Sequence, residues 1–141
     1  MATSRIGRPL RHPDRWLAAV CVTVAGGTHV PLIPDHLREA PYIGILFIAL
    51  VVVSAVLAVS LLVHDSPAVW TSVVVVMATA VAAFLVSRTI GLPQMPDDIG
   101  DWTGEAMGMP AVAAETLATL LGVATLGAAR HGRIRSSTAR I

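Results

Sequence analysis

YIGILFIALVVVSAVLAVSLLV, residues 42–63, decides the fold of this chain because it runs without a charged residue. A helix that crosses a bilayer needs about 20 consecutive apolar residues, which this stretch supplies. Valine and isoleucine are frequent in it and would favour a strand in water. In lipid, however, a helix is the structure that satisfies its own backbone hydrogen bonds. We therefore predict a transmembrane helix over residues 42–63.

The rest of the chain has the same character. It has 141 residues, of which 55% are hydrophobic and only 13% are charged, whereas soluble domains carry about 25% charged residues. Three further apolar segments lie at 16–30, 68–87 and 110–129. The sequence therefore predicts an all-α polytopic membrane protein, a four-helix transmembrane bundle over residues 16–129. The short inner connection and the short first outer connection favour helices that pack in chain order, with all four outer ends meeting.

Arginines indicate the orientation of this bundle. Eight of the ten lie in basic tails at 1–15 and 130–141: Arg5, Arg8, Arg11, Arg15, Arg130, Arg133, Arg135 and Arg140. Because positive residues mark the cytoplasmic side, we predict a multi-pass protein of the plasma membrane with both termini cytoplasmic. A cleaved signal peptide is the alternative for segment 16–30, but no small-x-small cleavage site precedes a polar stretch. The tails lack interleaved aromatic residues, so we expect no nucleic-acid partner.

The ionisable residues near the apolar segments collect on the outer side. They are His29, His36, Glu39, Arg88 and Glu115. Such residues are costly in a bilayer, so their clustering indicates a functional site. Pro34 is expected to start a short helical turn at the interface, on which His36 and Glu39 share a face and Asp35 can pair with Arg38. Glu115 lies about 7 Å beyond Pro110 along a helix that rises 1.5 Å per residue.

Two interpretations of these residues stay open. Imidazole and carboxylate groups are ligands for Zn or Cu, which makes His29, His36, Glu39 and Glu115 candidate metal ligands. Met107 and Met109 are weaker candidates, because thioethers suit Cu(I). The alternative is a structural network in which Arg88 forms an ion pair with Glu115 or Glu39. In that case the two methionines cover apolar surface where the last helix enters the membrane.

Several motifs resemble those of a known group. The segment His29-x6-His36-x2-Glu39 is followed by Gly44-Ile45-Leu46-Phe47, and later by Ser-Arg-Thr-x-Gly-Leu-Pro at 87–93. With the acidic residue early in the last helix, this combination resembles small uncharacterised four-helix integral membrane proteins of actinobacteria. The resemblance covers roughly residues 27–120. It implies a four-helix bundle with one outer polar site and brings no established activity with it.

Three functional classes follow from these observations. The first is a membrane protein that binds a transition metal at its outer face. The second is a structural or accessory subunit, working with a membrane protein partner or as a homo-oligomer, in which the polar cluster only holds helices together. The third is a small oligomeric proton-coupled transporter. The sequence contains no nucleophile–base arrangement, phosphate loop or cofactor motif, which favours a non-enzymatic role.

Overall fold

The computed structural model describes residues 10–103 and 106–138, with side chains described as far as residue 132. These ranges fold into α-helices that are joined by short turns and, between the last two helices, by a longer loop between Thr89 and Gly108. The helices are α1 (Arg15–His29), α2 (Ile33–Glu39), α3 (Pro41–Val63), α4 (Pro67–Thr89) and α5 (Gly108–Thr138). Single 3-10 turns occur at Val30–Leu32 and Pro96–Asp98.

Four helical units are long and apolar enough to cross a membrane. They are α3, α4, the stretch Arg15–Glu39 that joins α1 to α2, and Gly108–Gly132 of α5. The prediction of an all-α, four-helix membrane bundle is thereby confirmed. The first unit is longer than the expected 16–30, because Pro31 and Pro34 sit in the first turns of a 3-10 helix and of α2, where proline is tolerated.

The last helix also differs from the prediction at its end. We expected a basic tail from residue 130, but α5 continues without a break to Thr138. Residues 139–141 of that tail, and residues 1–9 of the N-terminal one, lie outside the described part of the chain. The helix is therefore longer than a bilayer requires, since a span of about 20 residues suffices.

The spanning helices pack in chain order around the bundle. The first span packs through α1 against α3, α4 packs against α5, and α5 packs back against α1, whereas α3 and α4 are the loosest of these pairs. The α4–α5 contact is close at Gly122, where an added Cβ would lie 2.5 Å from a methyl carbon of Val74. Small residues allow such backbone approach in membranes. The expected α3–α4 neighbours are thus separated by a gap along part of their length.

One end of the bundle is tied to the segment before α1. The carboxylate of Asp65, between α3 and α4, is fully buried and accepts hydrogen bonds from the backbone N–H groups of Arg11 (2.9 Å) and His12 (2.8 Å). The Leu10 N–H donates to the Asp65 backbone carbonyl at 3.1 Å. The His12 ring also packs edge-on against Trp70. Asp65 was not among the residues that the sequence singled out, so this anchor was missed.

Candidate functional site

The opposite end of the bundle, where α1 and α4 end and α3 and α5 begin, is called the histidine end. His29 and His36 both lie there, with ring centroids 4.7 Å from the Phe47 ring on α3. Nδ1 of His29 is 2.7 Å from the Ala25 carbonyl oxygen, and Nδ1 of His36 is 2.9 Å from that of Leu32. A carbonyl oxygen can only accept, so each Nδ1 donates a proton. In the neutral rings, Nε2 is therefore the acceptor nitrogen.

Gly44 explains why His36 is buried. A Cβ at this position would lie 2.6 Å from Cγ and 2.8 Å from the backbone nitrogen of Leu37. Only a glycine lets α2 fold directly onto the first turns of α3 at this distance. This packing of α2 against α3 leaves His36 only 6% exposed. Gly44 thus allows α2 to pack closely against α3, and Phe47 contacts the rings of both histidines.

Glu115 of α5 faces the same place. It is 1% exposed, and its Oε1 atom lies 3.9 Å from Nε2 of His29. Among the described residues, Oε1 has no hydrogen-bond partner. An unpartnered buried carboxyl oxygen is costly and calls for an explanation such as a bound group. His29 and Glu115 were both sequence-predicted site residues, and the fold brings them together.

Arg88 sits at the end of α4 with a partner that we did not expect. Its Nη1 atom lies 3.1 Å from Oδ2 of Asp98, and its guanidinium carbon lies 5.1 Å from the centre of the Phe84 ring. The Arg88 backbone carbonyl also accepts a 2.9 Å hydrogen bond from Gly100. The ion pair was predicted with Glu115 or Glu39, but this one ties α4 to the loop that follows it. Loop residues have no helical periodicity, so no sequence pattern marked Asp98 as the partner.

That loop also closes one end of the gap between α3 and α4. Gly91 has φ +86°, a left-handed conformation that turns the chain sharply after α4 and that favours glycine. Two residues later, the Pro93 carbonyl accepts a 2.6 Å hydrogen bond from the hydroxyl of Tyr42 on α3. The Gly-Leu-Pro sequence at 91–93 therefore reaches across from α4 to α3.

These elements enclose a cavity of about 410 Å³. Its polar lining residues include His29, His36, Ser87, Arg88, Asp98 and Glu115. Most of its wall is apolar and comes from α3 and α4. Leu46 and Val75 line the cavity and are nevertheless 60% and 57% exposed. Because both lie within spans, the cavity opens sideways toward lipid.

The other predicted site residues lie apart from this cavity. Glu39 is exposed, as are Met107 (41%) and Met109 (50%), and none of the three lines the cavity. Asp35 and Arg38 form the expected pair at 3.4 Å on the exposed side of α2. Over residues 10–103 and 106–138, no three His, Cys, Asp or Glu side chains form a group that could hold a metal ion. His29, His36 and Glu115 are the predicted ligands that line one space.

Comparison with protein-family models, with characterised proteins and with solved structures found no match to this chain. The resemblance to actinobacterial four-helix membrane proteins stays a prediction from the sequence. The motifs that carry it nevertheless supply the parts of the histidine end. Gly44 lets α2 pack against α3, and Phe47 contacts the histidine rings. Arg88, Gly91 and Pro93 hold the loop that lies over the gap between α3 and α4.

Proposed function

We propose that this chain is a membrane-embedded binding protein that takes a small molecule from the bilayer into the cavity at the histidine end. The observation that carries the proposal is an apolar cavity of about 410 Å³ with buried Glu115 in its wall. Cavities of about 300–1,000 Å³ with mainly apolar walls and a few polar groups are typical of small-molecule sites. The apolar part of the ligand lies between α3 and α4, and its polar group meets His29 and Glu115.

The route of access follows from the shape of the gap. Tyr42 and Pro93 are hydrogen-bonded across its end, so the loop lies over the cavity on the side away from the bilayer centre. Leu46 and Val75 leave the lipid-facing side open. A ligand that is dissolved in the membrane therefore reaches the cavity by sliding between two helices. Because lipid tails are as apolar as the cavity wall, burial of the apolar part of the ligand supplies little affinity, and the polar groups in the wall supply the selectivity.

The proposal includes an orientation in the plasma membrane. Positive residues favour the cytoplasmic side. Arg11 and Arg15, which precede or begin α1, and Arg130, near the end of the last span, lie at the end opposite the histidine end. Both termini are then cytoplasmic and the site faces outward. Single cysteines at position 97 or 130 in a Cys21→Ala background test this with a membrane-impermeant maleimide on intact cells. Labelling of the cysteine at position 97 alone agrees with the proposed orientation. Labelling of the cysteine at position 130 alone would show that the protein has the opposite orientation.

A transition metal is the second candidate occupant. Its support is the orientation of the two imidazoles, since metal-bound histidines commonly donate their other ring N–H to a carbonyl. The 3.9 Å between His29 Nε2 and Glu115 Oε1 is also only slightly longer than the roughly 3.4 Å between two ligands of one tetrahedral zinc. His29, His36 and Glu115 do not form a ready-made metal group among the described residues, so Cu or Zn held by all three requires their side chains to close around the ion. Elemental analysis of the purified protein, against an empty-detergent control, tests it.

Two adjacent alanines on α4 provide a matched test of the binding proposal. Ala83 lines the cavity and Ala82 does not, although both are exposed to lipid. Ala83→Phe fills the cavity, whereas Ala82→Phe adds the same ring to the lipid-facing surface. Protein purified in mild detergent is extracted with organic solvent, and the extract is analysed by mass spectrometry. We expect a compound that is enriched over bulk lipid in wild type and Ala82→Phe and is lost in Ala83→Phe; identical extracts from all three proteins overturn the proposal.

A further inference from the structure

The shape of the cavity specifies the kind of molecule that fills it, an inference that rests on the proposed function. We propose that the occupant is a lipid with one linear chain and a small head group. The head group lies at the histidine end, and the chain runs along α4 toward the middle of the bilayer. Three features of the cavity support this: its length, the distribution of its polar groups and the loop that lies over it.

The cavity is long and follows α4. Its lining residues on this helix extend from Val75 to Arg88, which corresponds to about 20 Å along the helix axis at a rise of 1.5 Å per residue. Between them the wall includes small side chains three or four positions apart, namely Ala80, Ala83 and Ser87. Side chains at this spacing lie in line on one face of a helix. They therefore leave a straight groove that an extended chain fills and that a compact molecule contacts only in part.

Polar groups are concentrated at one end of this groove. Ser87, Arg88 and Glu115 lie in the wall near the histidine end, where they provide both hydrogen-bond donors and acceptors. Glu115 Oε1 is buried and has no hydrogen-bond partner among the described residues, so a polar group of the ligand is needed beside it. The wall around Val75 is aliphatic apart from the hydroxyl of Thr79. A molecule with one polar end and an apolar remainder matches this distribution.

The loop after α4 limits the size of the head group. It is fastened over the cavity by the 2.6 Å hydrogen bond between Tyr42 and Pro93 and by the 3.1 Å contact between Arg88 and Asp98. A head group at the level of Glu115 stays beneath this loop. A phosphodiester head group with two chains would have to displace the loop, whereas a hydroxyl or a carboxyl group fits under it. The cavity therefore favours a single-chain lipid over the phospholipids that surround it.

Photocrosslinking in nanodiscs tests the position of the chain. The probe is 1-hexadecanol, whose extended chain is about as long as the groove, with a diazirine either beside the hydroxyl or near the far end of the chain. A hydroxyl is chosen because it bonds to a carboxyl group in either protonation state. We expect the far diazirine to label residues around Val75 and the near one to label residues around Ser87. Excess 1-hexadecanol should abolish both signals, whereas 1-adamantanol at the same mole fraction should not.

Three identical substitutions on α4 separate the chain from the head group. Ala80→Phe blocks the middle of the groove and should abolish the labelling around Val75. It should leave the labelling around Ser87 by a 1-octanol probe, whose chain is half as long, and this signal reports a folded cavity. Ala83→Phe should abolish labelling by both alcohols. Ala82→Phe, which faces lipid outside the cavity, should give the wild-type pattern.

The outcomes separate this inference from the proposed function. Equal competition by 1-adamantanol and 1-hexadecanol, with all labelling lost in Ala83→Phe, overturns the single-chain lipid and leaves the cavity proposal intact. A two-chain phospholipid that is enriched in the wild-type extract and lost in Ala83→Phe has the same meaning. Labelling around Val75 that survives in Ala80→Phe also overturns the inference. Absence of competable labelling by every probe, together with identical extracts from wild type and from the Ala82 and Ala83 variants, overturns both proposals.

Discussion

The hydroxyl of Tyr42 donates a 2.6 Å hydrogen bond to the carbonyl of Pro93, and this bond joins α3 to the loop after α4. Tyr42→Phe removes only the hydroxyl. We expect the free energy of unfolding to fall by about 0.5–1.5 kcal/mol, the usual net value of one hydrogen bond. Thermal unfolding followed by circular dichroism measures the change. Ser72→Ala, which removes an exposed hydroxyl bonded only within its own helix, is the control and should have a smaller effect.

The ion pair between Arg88 and Asp98 makes a second prediction. Arg88 is 4% exposed and Asp98 is 23% exposed, so Arg88→Gln leaves a partly hydrated carboxylate without its cation and should destabilise the fold by about 1–3 kcal/mol. In a double-mutant cycle with Asp98→Asn, we expect a coupling energy of about 0.5–3 kcal/mol. The same cycle between Arg88→Gln and Glu39→Gln should be additive. Coupling to Glu39 without coupling to Asp98 would contradict the pairing described here.

Gly44 makes a third prediction through its contact with Leu37. Gly44→Ala places a methyl group 2.8 Å from the Leu37 backbone nitrogen, so α2 must move away from α3. Overpacking of this kind costs about 1–3 kcal/mol, in spite of the better helix propensity of alanine. Gly27→Ala is the matched control, because nothing lies within 4 Å of its new Cβ. Equal stability of the two variants would show that α2 does not pack as closely as we find.

The buried carboxylate of Asp65 makes a fourth prediction, at the other end of the bundle. It accepts from the N–H groups of Arg11 and His12, whereas an asparagine has one oxygen and an NH₂ group that cannot accept. Asp65→Asn should therefore leave one N–H unpaired at a cost of about 1–3 kcal/mol. Hydrogen exchange at residues 10–14 should accelerate. Asp14→Asn, at a more exposed carboxylate, is the control; unchanged exchange in Asp65→Asn would contradict the anchor.

The helices were predictable from the sequence because the lipid environment requires each span to satisfy its own backbone hydrogen bonds. An uncharged run of sufficient length has one stable form in lipid, and α3 at Pro41–Val63 differs from the predicted 42–63 by a single residue. α4 begins at Pro67, one residue before the predicted segment 68–87, and Ser66 is its capping residue. The predicted topology and the predicted depth of each residue in the membrane placed His29 and Glu115 at the same end of the bundle. In the structure their side chains are 3.9 Å apart.

The gap between α3 and α4 was not predictable in the same way. Both helices are apolar on every face, so their sequences do not indicate which side faces a neighbour and which faces lipid. Asp98 and Asp65 were missed for a related reason. Each acts from a loop or a helix junction through a contact that depends on the tertiary fold, and no periodic pattern marks such a position.

The most direct test of the central claim is a crystal structure of the protein purified from its own membranes and grown in a lipidic phase. The proposed function predicts electron density for an elongated molecule between α3 and α4, with one end within hydrogen-bond distance of Glu115 Oε1 and of His29 Nε2. A compact density with ligands at about 2.0–2.2 Å would instead identify a metal. A structure in which α3 and α4 close against each other and leave no cavity beside Glu115 would contradict the claim.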